Sequence, residues 1–280
     1  MLITIKNVKG NEMHAWKNKV VVITGAGSGI GQAVALHVAE LGCHIALVDI
    51  NEKGVLETQE KLLSFPGNYS SHVIDVTNKD QMRELPEAVI KQHGCVDVLF
   101  NNAGITINKT FNTHTLEDWE QVVGINLWGV IYGCKFFMPY LAKQTEAFII
   151  NTSSLAGFLG MPNQTSYCVT KAAVKALSEA LYAECKGNNI HVISVHPGAI
   201  NTKIFDFAIE HSDDQEASKK MFDKVKRFAM QPNVAAEKII GATVKKRQRI
   251  VIGIDAHIVD IMKRLMPVVV HRLFAWGANR

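Results

Sequence analysis

Tyr167 and Lys171 stand four residues apart, ahead of a stretch carrying Ala172, Ala173, Ala176, Leu177, Ala180 and Leu181. Such residues favour a helix, where positions i and i+4 share a face one turn apart. A phenol and an ammonium then occupy one site. Tyrosine alone is a poor acid-base catalyst near neutrality, with an ordinary pKa of about 10, but an adjacent cation favours the phenolate and draws that value down. The same spacing arises by chance on amphipathic helices with an exposed Lys and a packed Tyr, so the rest of the chain must separate chemistry from scaffold.

A second group suited to chemistry lies near the N-terminus. Val20 to Thr24 is an apolar, β-branched run that closes on Gly25-Ala26-Gly27-Ser28-Gly29-Ile30-Gly31, and Ala33 to Leu41 then reads as a helix ending at Gly42. A glycine turn between strand and helix lets backbone N–H groups approach a pyrophosphate at the helix N-terminus, where the dipole favours an anion. The strict Gly-x-Gly-x-x-Gly spacing fails, because Gly25 and Gly27 would require glycine at Ile30; Gly25, Gly29 and Gly31 fit Gly-x-x-x-Gly-x-Gly. The second strand ends at Asp49, a carboxylate placed to accept from ribose hydroxyls and to repel a 2′-phosphate. Ile50 and Asn51 follow it where an Arg would serve NADP, and the glycine turn carries no base, so NAD is expected over NADP. Capping the next helix is the competing role for Asp49, and the two are compatible. Asp75 and Val76 are expected to end the third strand and cover the adenine. Asn101-Asn102-Ala103-Gly104 ends the fourth with small and amide residues that allow close passage of a cofactor.

Strands that alternate with helices must hold these groups. Ile45–Val48, His72–Asp75, Val96–Phe100, Phe148–Thr152, His191–Val195 and Ile250–Ile252 read as strands after the first. Between them lie helical stretches at 52–63, 79–91, which tolerates Pro86 poorly, about 116–140, and from Tyr167 to near Gly187. This alternation predicts a doubly wound α/β fold, a parallel sheet with helices on both faces and a ligand outside the carboxyl ends of the strands. The 280 residues suit one domain spanning 1–280, with 48% hydrophobic and 20% charged residues as in a globular protein. Residues 1–19 lack the apolar core of a secretory signal and read as a short extension; no uncharged apolar run reaches the length of a membrane span. Cys43, Cys95, Cys134, Cys168 and Cys185 show no Cys-x-x-Cys pair, so reduced thiols, a cytoplasmic setting and no metal site are expected. The net charge of +4 is mild, and the basic run Lys245-Lys246-Arg247-Gln248-Arg249 has no aromatic neighbours for base stacking, which points to a helix end and away from nucleic acid.

Taken together, Thr24 to Gly31, Asn101-Asn102-Ala103-Gly104, Asn126, Ser153-Ser154, Tyr167-x-x-x-Lys171 and Pro197-Gly198 closely resemble the short-chain dehydrogenase/reductase family in order and spacing, from about Lys19 to Thr202. The resemblance implies a Rossmann fold with a seven-stranded parallel sheet and hydride transfer between a nicotinamide and an alcohol or carbonyl. It makes Tyr167 the general acid-base, and Lys171 the residue that binds the nicotinamide ribose and lowers the Tyr pKa. Ser154, thirteen residues before Tyr167, is the serine that hydrogen-bonds the substrate oxygen. Asn126 is the asparagine supporting a water that links the lysine to solvent. Gly25, Ser28, Gly29 and Ile30 would hold the pyrophosphate, Asp49 the ribose, Asp75 and Val76 the adenine, and Asn102, Ala103 and Gly104 the passage to the nicotinamide. Pro197, Gly198, Ile200 and Thr202 would cover the carboxamide end. A homodimer or homotetramer is also implied.

Substrate identity must lie outside this shared pattern. Residues 199–231 are expected to form a helical lid carrying Ile204, Phe205, Phe207, Met221 and Phe222, with Phe158, Leu159 and Met161 extending an apolar wall. These residues suggest a bulky apolar alcohol or ketone, lipid, steroid-like or aromatic. A small polar carbonyl or polyol, or a sensor that binds NAD without redox chemistry, are the alternatives. The tail 255–280 is amphipathic and basic, broken by Pro267. Docking on the body, on a partner subunit or at the substrate cleft is expected before peripheral contact with a membrane surface.

Overall fold

The computed structural model describes residues 15–278; the first part of the expected N-terminal extension, residues 1–14, and the last two residues of the tail lie outside the described residues. Seven parallel strands form one sheet in the order β3-β2-β1-β4-β5-β6-β7. They are β1 (Val20–Thr24), β2 (His44–Asp49), β3 (Tyr69–Val73), β4 (Val98–Asn101), β5 (Ala147–Thr152), β6 (Ile190–Pro197) and β7 (Arg249–Ile252). The doubly wound seven-stranded sheet expected from the sequence is therefore present. Its order reverses between β1 and β4, so the two chain halves diverge there and leave a crevice at the carboxyl ends. The central strands are apolar on both faces, and every residue of β1 and β5 is buried.

Helices cover both faces. One layer holds α1 (Gly29–Glu40) and α2 (Glu52–Leu62), with Val34, Val38, Val55 and Leu62 buried against Ile23, Ile45 and Leu47. The other holds α3 (Lys79–His93), a continuous helical run through α4 (Leu116–Val123), a π-turn (Gly124–Trp128) and α5 (Gly129–Leu141), and α6 (Thr165–Glu184). Met82, Leu85, Phe137, Leu141 and Val174 pack this layer against Val22, Leu99 and Ile149. The 116–141 run is long and apolar enough to cross a membrane, yet it buries Asn126, Val130, Cys134 and Phe137 within the fold. It is a core helix by its packing.

One of three boundaries departs from the sequence reading, and each has an identifiable cause. Strand β3 starts three residues before the expected His72 because its Tyr69-Ser70-Ser71 run is polar; Asp75 and Val76 consequently stand beyond the strand end, in the loop. Ser70 Oγ is held by His72 and His93 at 2.9 and 2.7 Å, which lets this edge strand do without apolar alternation. Helix α3 runs through Pro86, held by Asn78 as N-cap and by Gly94 in the left-handed region at its end. The basic run follows α9 (Pro232–Val244) as a helix end, with Lys246 paired to Glu146 at 2.6 Å and Arg249 already in β7.

Beyond β6 lie α7 (Ile204–Glu210) and α8 (Gln215–Phe228), the lid expected at 199–231. After β7 the tail folds as α10 (Ile254–Leu265) and α11 (Val269–Ala278), separated around Pro267.

Candidate functional site

The crevice opens into a cleft of about 780 Å³ at the carboxyl edge of the sheet. One arm begins at the glycine turn. Gly25 and Gly29 take positive φ of 68° and 56°, which L side chains rarely adopt. A Cβ at Gly25 would stand 2.9 Å from Ala103 Cα, and one at Gly31 would overlap the Gly25 carbonyl oxygen. Ser28 occupies the N-cap position of α1 without a side-chain cap bond, so the helix's leading N–H groups keep their donor capacity. A bare helix N-terminus behind a turn that admits no Cβ fits a pyrophosphate.

Asp49 is tied into this arm. Its carboxylate accepts from Gly27 N at 2.8 Å and from Asn51 N at 2.9 Å, while Asn51 itself caps α2 by accepting from Gly54 N. The capping role considered for Asp49 therefore belongs to Asn51. Asp75 Oδ1 accepts from Thr77 N at 2.9 Å, and Asp75 and Val76 both line the cleft. Asn102 Nδ2 donates to Thr24 O at 3.1 Å, and the Thr24 hydroxyl accepts from the N–H groups of Asn102 and Ala103. Thr24 thus stitches the end of β1 to β4, a role its type alone did not reveal.

Ser154, Tyr167 and Lys171 meet on the other arm. Ser154 Oγ accepts from Ala156 N at 3.1 Å and borders the cleft beside Tyr167. Its neighbour Ser153 instead donates to the Lys171 carbonyl at 2.7 Å, a buried scaffold contact that separates the two serines. Lys171 Nζ donates to Thr152 O at 2.9 Å and lies 5.6 Å from the Tyr167 ring centre. Burial pushes the Tyr167 phenol up to about 12, opposed by its hydrogen bond with Ser154. Burial also pushes the Lys171 ammonium down to about 8. The expected lowering of the tyrosine by Lys171 does not act here: dehydration sets the direction of the phenol's shift, and the ammonium is spent on a carbonyl.

Asn126 does not line the cleft. It lies buried in the π-turn behind the wall, where its amide donates to Ile105 O and accepts from Ile105 N, both at 2.9 Å. The amide oxygen and Lys171 Nζ flank Gly104, where a Cβ would sit 3.1 and 3.3 Å from them. The positions expected to contact the cofactor, from Gly25, Ser28, Gly29 and Ile30 to Pro197, Gly198, Ile200 and Thr202, all border the cleft, whereas Gly31 and Asn101 lie behind it.

Apolar side chains close the far end. Ile204, Phe205, Phe207, Met221 and Phe222 face inward from the lid, and Leu155 and Met161 from the opposite wall. Phe158 and Leu159, expected to extend that wall, turn away and pack with Val259 and Val270 of the tail helices. The lid is fastened to the β4 loop by Asn108 Nδ2, which donates to Ser218 Oγ at 2.7 Å.

A family model described as short chain dehydrogenase matches residues 19–213. The chain belongs to the short-chain dehydrogenase family. SadH of Mycobacterium tuberculosis, which carries an oxidoreductase name, is 34% identical over 272 residues, 96% of this chain and 98% of SadH. The crystal structure of a short-chain dehydrogenase/reductase from Burkholderia phymatum in complex with NAD is similar at a TM-score of 0.79 with 30% identity, covering 84% of this chain and 89% of that one. An NAD+-bound xylitol dehydrogenase is similar at 0.75 with 26% identity, covering 85% and 98%. The short-chain dehydrogenase described here is thus an oxidoreductase by family.

One residue of this dehydrogenase escaped the sequence reading. Asp255, in the first turn of α10, accepts from Ala199 N at 2.7 Å and borders the cleft. A Cβ at Gly198 or at Gly253 would overlap its carboxylate. The available signal was local: a glycine with φ of 102°, Gly253, two residues ahead of an acid at a helix start.

Proposed function

We propose that this dehydrogenase transfers a hydride between NAD and a bulky apolar secondary alcohol or ketone. The juxtaposition carrying this reading is Ser154, Tyr167 and Lys171 between a glycine cradle and an apolar lid within one cleft. The nicotinamide, when bound, supplies or accepts the hydride. Gly25, Ser28, Gly29 and Ile30 would hold the pyrophosphate, and Asp49 the adenosine ribose. Asp75 and Val76 would flank the adenine, Asn102, Ala103 and Gly104 the path to the nicotinamide, and Pro197, Gly198, Ile200 and Thr202 its carboxamide end. Asp49 favours NAD, since a carboxylate repels a 2′-phosphate.

The chain's own groups then manage the proton. Tyr167, held protonated far above neutrality by burial, is suited to donating to a forming alkoxide; in oxidation it takes the alcohol proton, a step favoured by alkaline pH. Ser154 O–H donates to the same substrate oxygen and offsets its developing charge. Lys171 would bind the nicotinamide ribose with the N–H bonds that Thr152 leaves free. Asn126 would support the water path behind Lys171. One domain over 1–280, a homo-oligomer and a cytoplasmic setting complete the reading that the family resemblance supports.

A panel of secondary alcohols, from steroid-like and aromatic compounds to polyols, tests this with NAD and NADP in parallel. Turnover is expected with apolar alcohols and NAD. The competing polar reading is favoured by Thr106, Asn108 and Gln164 in the same lining; turnover of polyols alone would establish it, and NADP preference would overturn the role of Asp49. NAD binding with no turnover of any alcohol or ketone would favour a sensor.

A further inference from the structure

Helix α10 has two apolar faces. The inner face buries Ala256 and Val259 against the body. Its pairing is firm: Arg249 of β7 donates to both oxygens of Asp260 at 3.0 and 2.6 Å. The outer face carries Ile254, Ile258, Ile261 and Leu265, spaced by four, three and four residues, which places them in one narrow stripe. These side chains are 81%, 51%, 55% and 75% exposed, against a buried inner face. Val268, Val269 and Leu273 continue the exposed apolar surface into α11. A contiguous patch of this kind on a helix already docked by its other face marks an interaction surface.

The charges beside the stripe select its partner. Arg264 and Arg272 are exposed, and Lys263, next to Arg264, donates to Pro267 O at 3.3 Å at the α10–α11 junction. The contact between Arg249 and Asp260 also brings the start of β7 against α10, and with it the exposed Lys245, Lys246 and Arg247 that lead into that strand. Glu146 and Asp260 are the acids paired here, and Asp260 is shared between Arg249 and Arg264. A second copy meeting this surface about a two-fold axis would set these cations against one another. An anionic lipid surface would take the aliphatic stripe into its headgroup boundary and neutralise the bases at its rim.

We infer that the outer face of α10, with the start of α11, is a docking surface for anionic membranes. The tail therefore does two things: it docks on the body, as its inner face requires, and presents its other side to lipid. Asp255 and Val259 of the same helix border the cleft, so docking would bring the cleft mouth toward the bilayer.

The test uses the full chain with vesicles of phosphatidylcholine alone or mixed with phosphatidylglycerol. Sedimentation should retain the protein on the anionic vesicles, and retention should fall on raising salt. Ile258→Glu with Ile261→Glu should lower that retention by about tenfold or more, since two aliphatic anchors are replaced by charges that the surface repels. Both positions are exposed, so thermal unfolding and turnover of the double variant should match the parent. No retention of the parent, equal retention of parent and variant, or equal binding to both vesicle types would overturn the inference. A fall in mass of the variant by light scattering, without any vesicle binding by the parent, would assign the stripe to a second copy and also overturn it.

Discussion

The two ends of the cleft are built on different physical terms. At the cofactor and proton-transfer end, groups are fixed by strand ends and by buried polar contacts that leave little freedom. Thr24 joins β1 to β4, Ser153 joins β5 to α6, and Asn126 clasps Ile105 from behind. Small residues there are small by necessity, as the collision of a Cβ at Gly31 with Gly25 shows. At the lid end the lining belongs to α7 and α8, neither of which is part of the sheet's two helical layers. Its side chains, such as Phe205 and Phe222 with ring centres 5.2 Å apart, meet by apolar packing. Apolar packing tolerates substitution of similar volume far better than a backbone-to-backbone approach does. The difference separates what the enzyme does from what it does it to.

The sharpest way to break this contrast is at the over-determined end. Tyr167→Phe removes one hydroxyl from a half-buried ring and keeps its packing. Turnover is expected to fall by about a thousandfold, the usual contribution of a positioned acid-base group. Cofactor affinity, measured by fluorescence titration, should change little. Comparable turnover in variant and parent would remove Tyr167 from the proton path and leave the reaction to another group.

The same division explains how much could be read from the chain alone. Positions such as Gly25, Gly29, Ser154 and Lys171 obey constraints of backbone approach and helix spacing, so they stand out as residue types at fixed intervals. The sheet was legible for a related reason: buried parallel strands are continuous apolar runs. Strand β3 misled because it sits at the sheet edge and is held by Ser70 between two histidines, which leaves no apolar period to read. Phe158 and Leu159 misled because an apolar residue near a site has two places to go, and the Val259–Val270 cluster took them. The Tyr167 pKa was beyond reach, since spacing reveals the neighbouring cation and says nothing of the dehydration that sets the phenol's direction.

That dehydration gives a second, smaller effect. Lys171 is pushed from 10.5 down to about 8 by burial, so between these values the folded side chain is neutral while the unfolded one still holds its proton. The unfolded state then binds more protons, and stability rises with pH across that window. Below it both states are protonated, and the full cost of the buried ammonium remains. The rise is worth about 3 kcal/mol at most. Cys43 and Cys134, pushed up by burial from 9.0 to about 12, act in the opposite direction above pH 9, and Tyr167 does so from 10 to about 12, because each folded group keeps a proton that the unfolded one loses. Urea unfolding of the parent should therefore show stability climbing from about pH 8 to 9, before the buried thiols reverse the trend, and Lys171→Met should flatten that climb. An unchanged slope in the variant would mean that burial is not what governs this ammonium.

The smallest effect lies where the two ends meet. Asp255 accepts the Ala199 N–H and presses against Gly198, so it holds the loop after β6 against the first turn of a tail helix whose Val259 borders the cleft. Because Asp255 faces solvent, losing its bond should cost about 1.4 kcal/mol or less, about tenfold in an equilibrium constant. Asp255→Ala is expected to raise KM for the cofactor by up to about tenfold with a smaller change in kcat, since the loop loses its tether while Tyr167 and Ser154 stay in place. Asp255→Asn keeps an oxygen for Ala199 N–H and should restore most of the affinity. If both variants instead lose kcat and keep KM, the coupling runs through the proton-transfer groups. The boundary between the rigid and adaptable ends would then have to be redrawn to include α10.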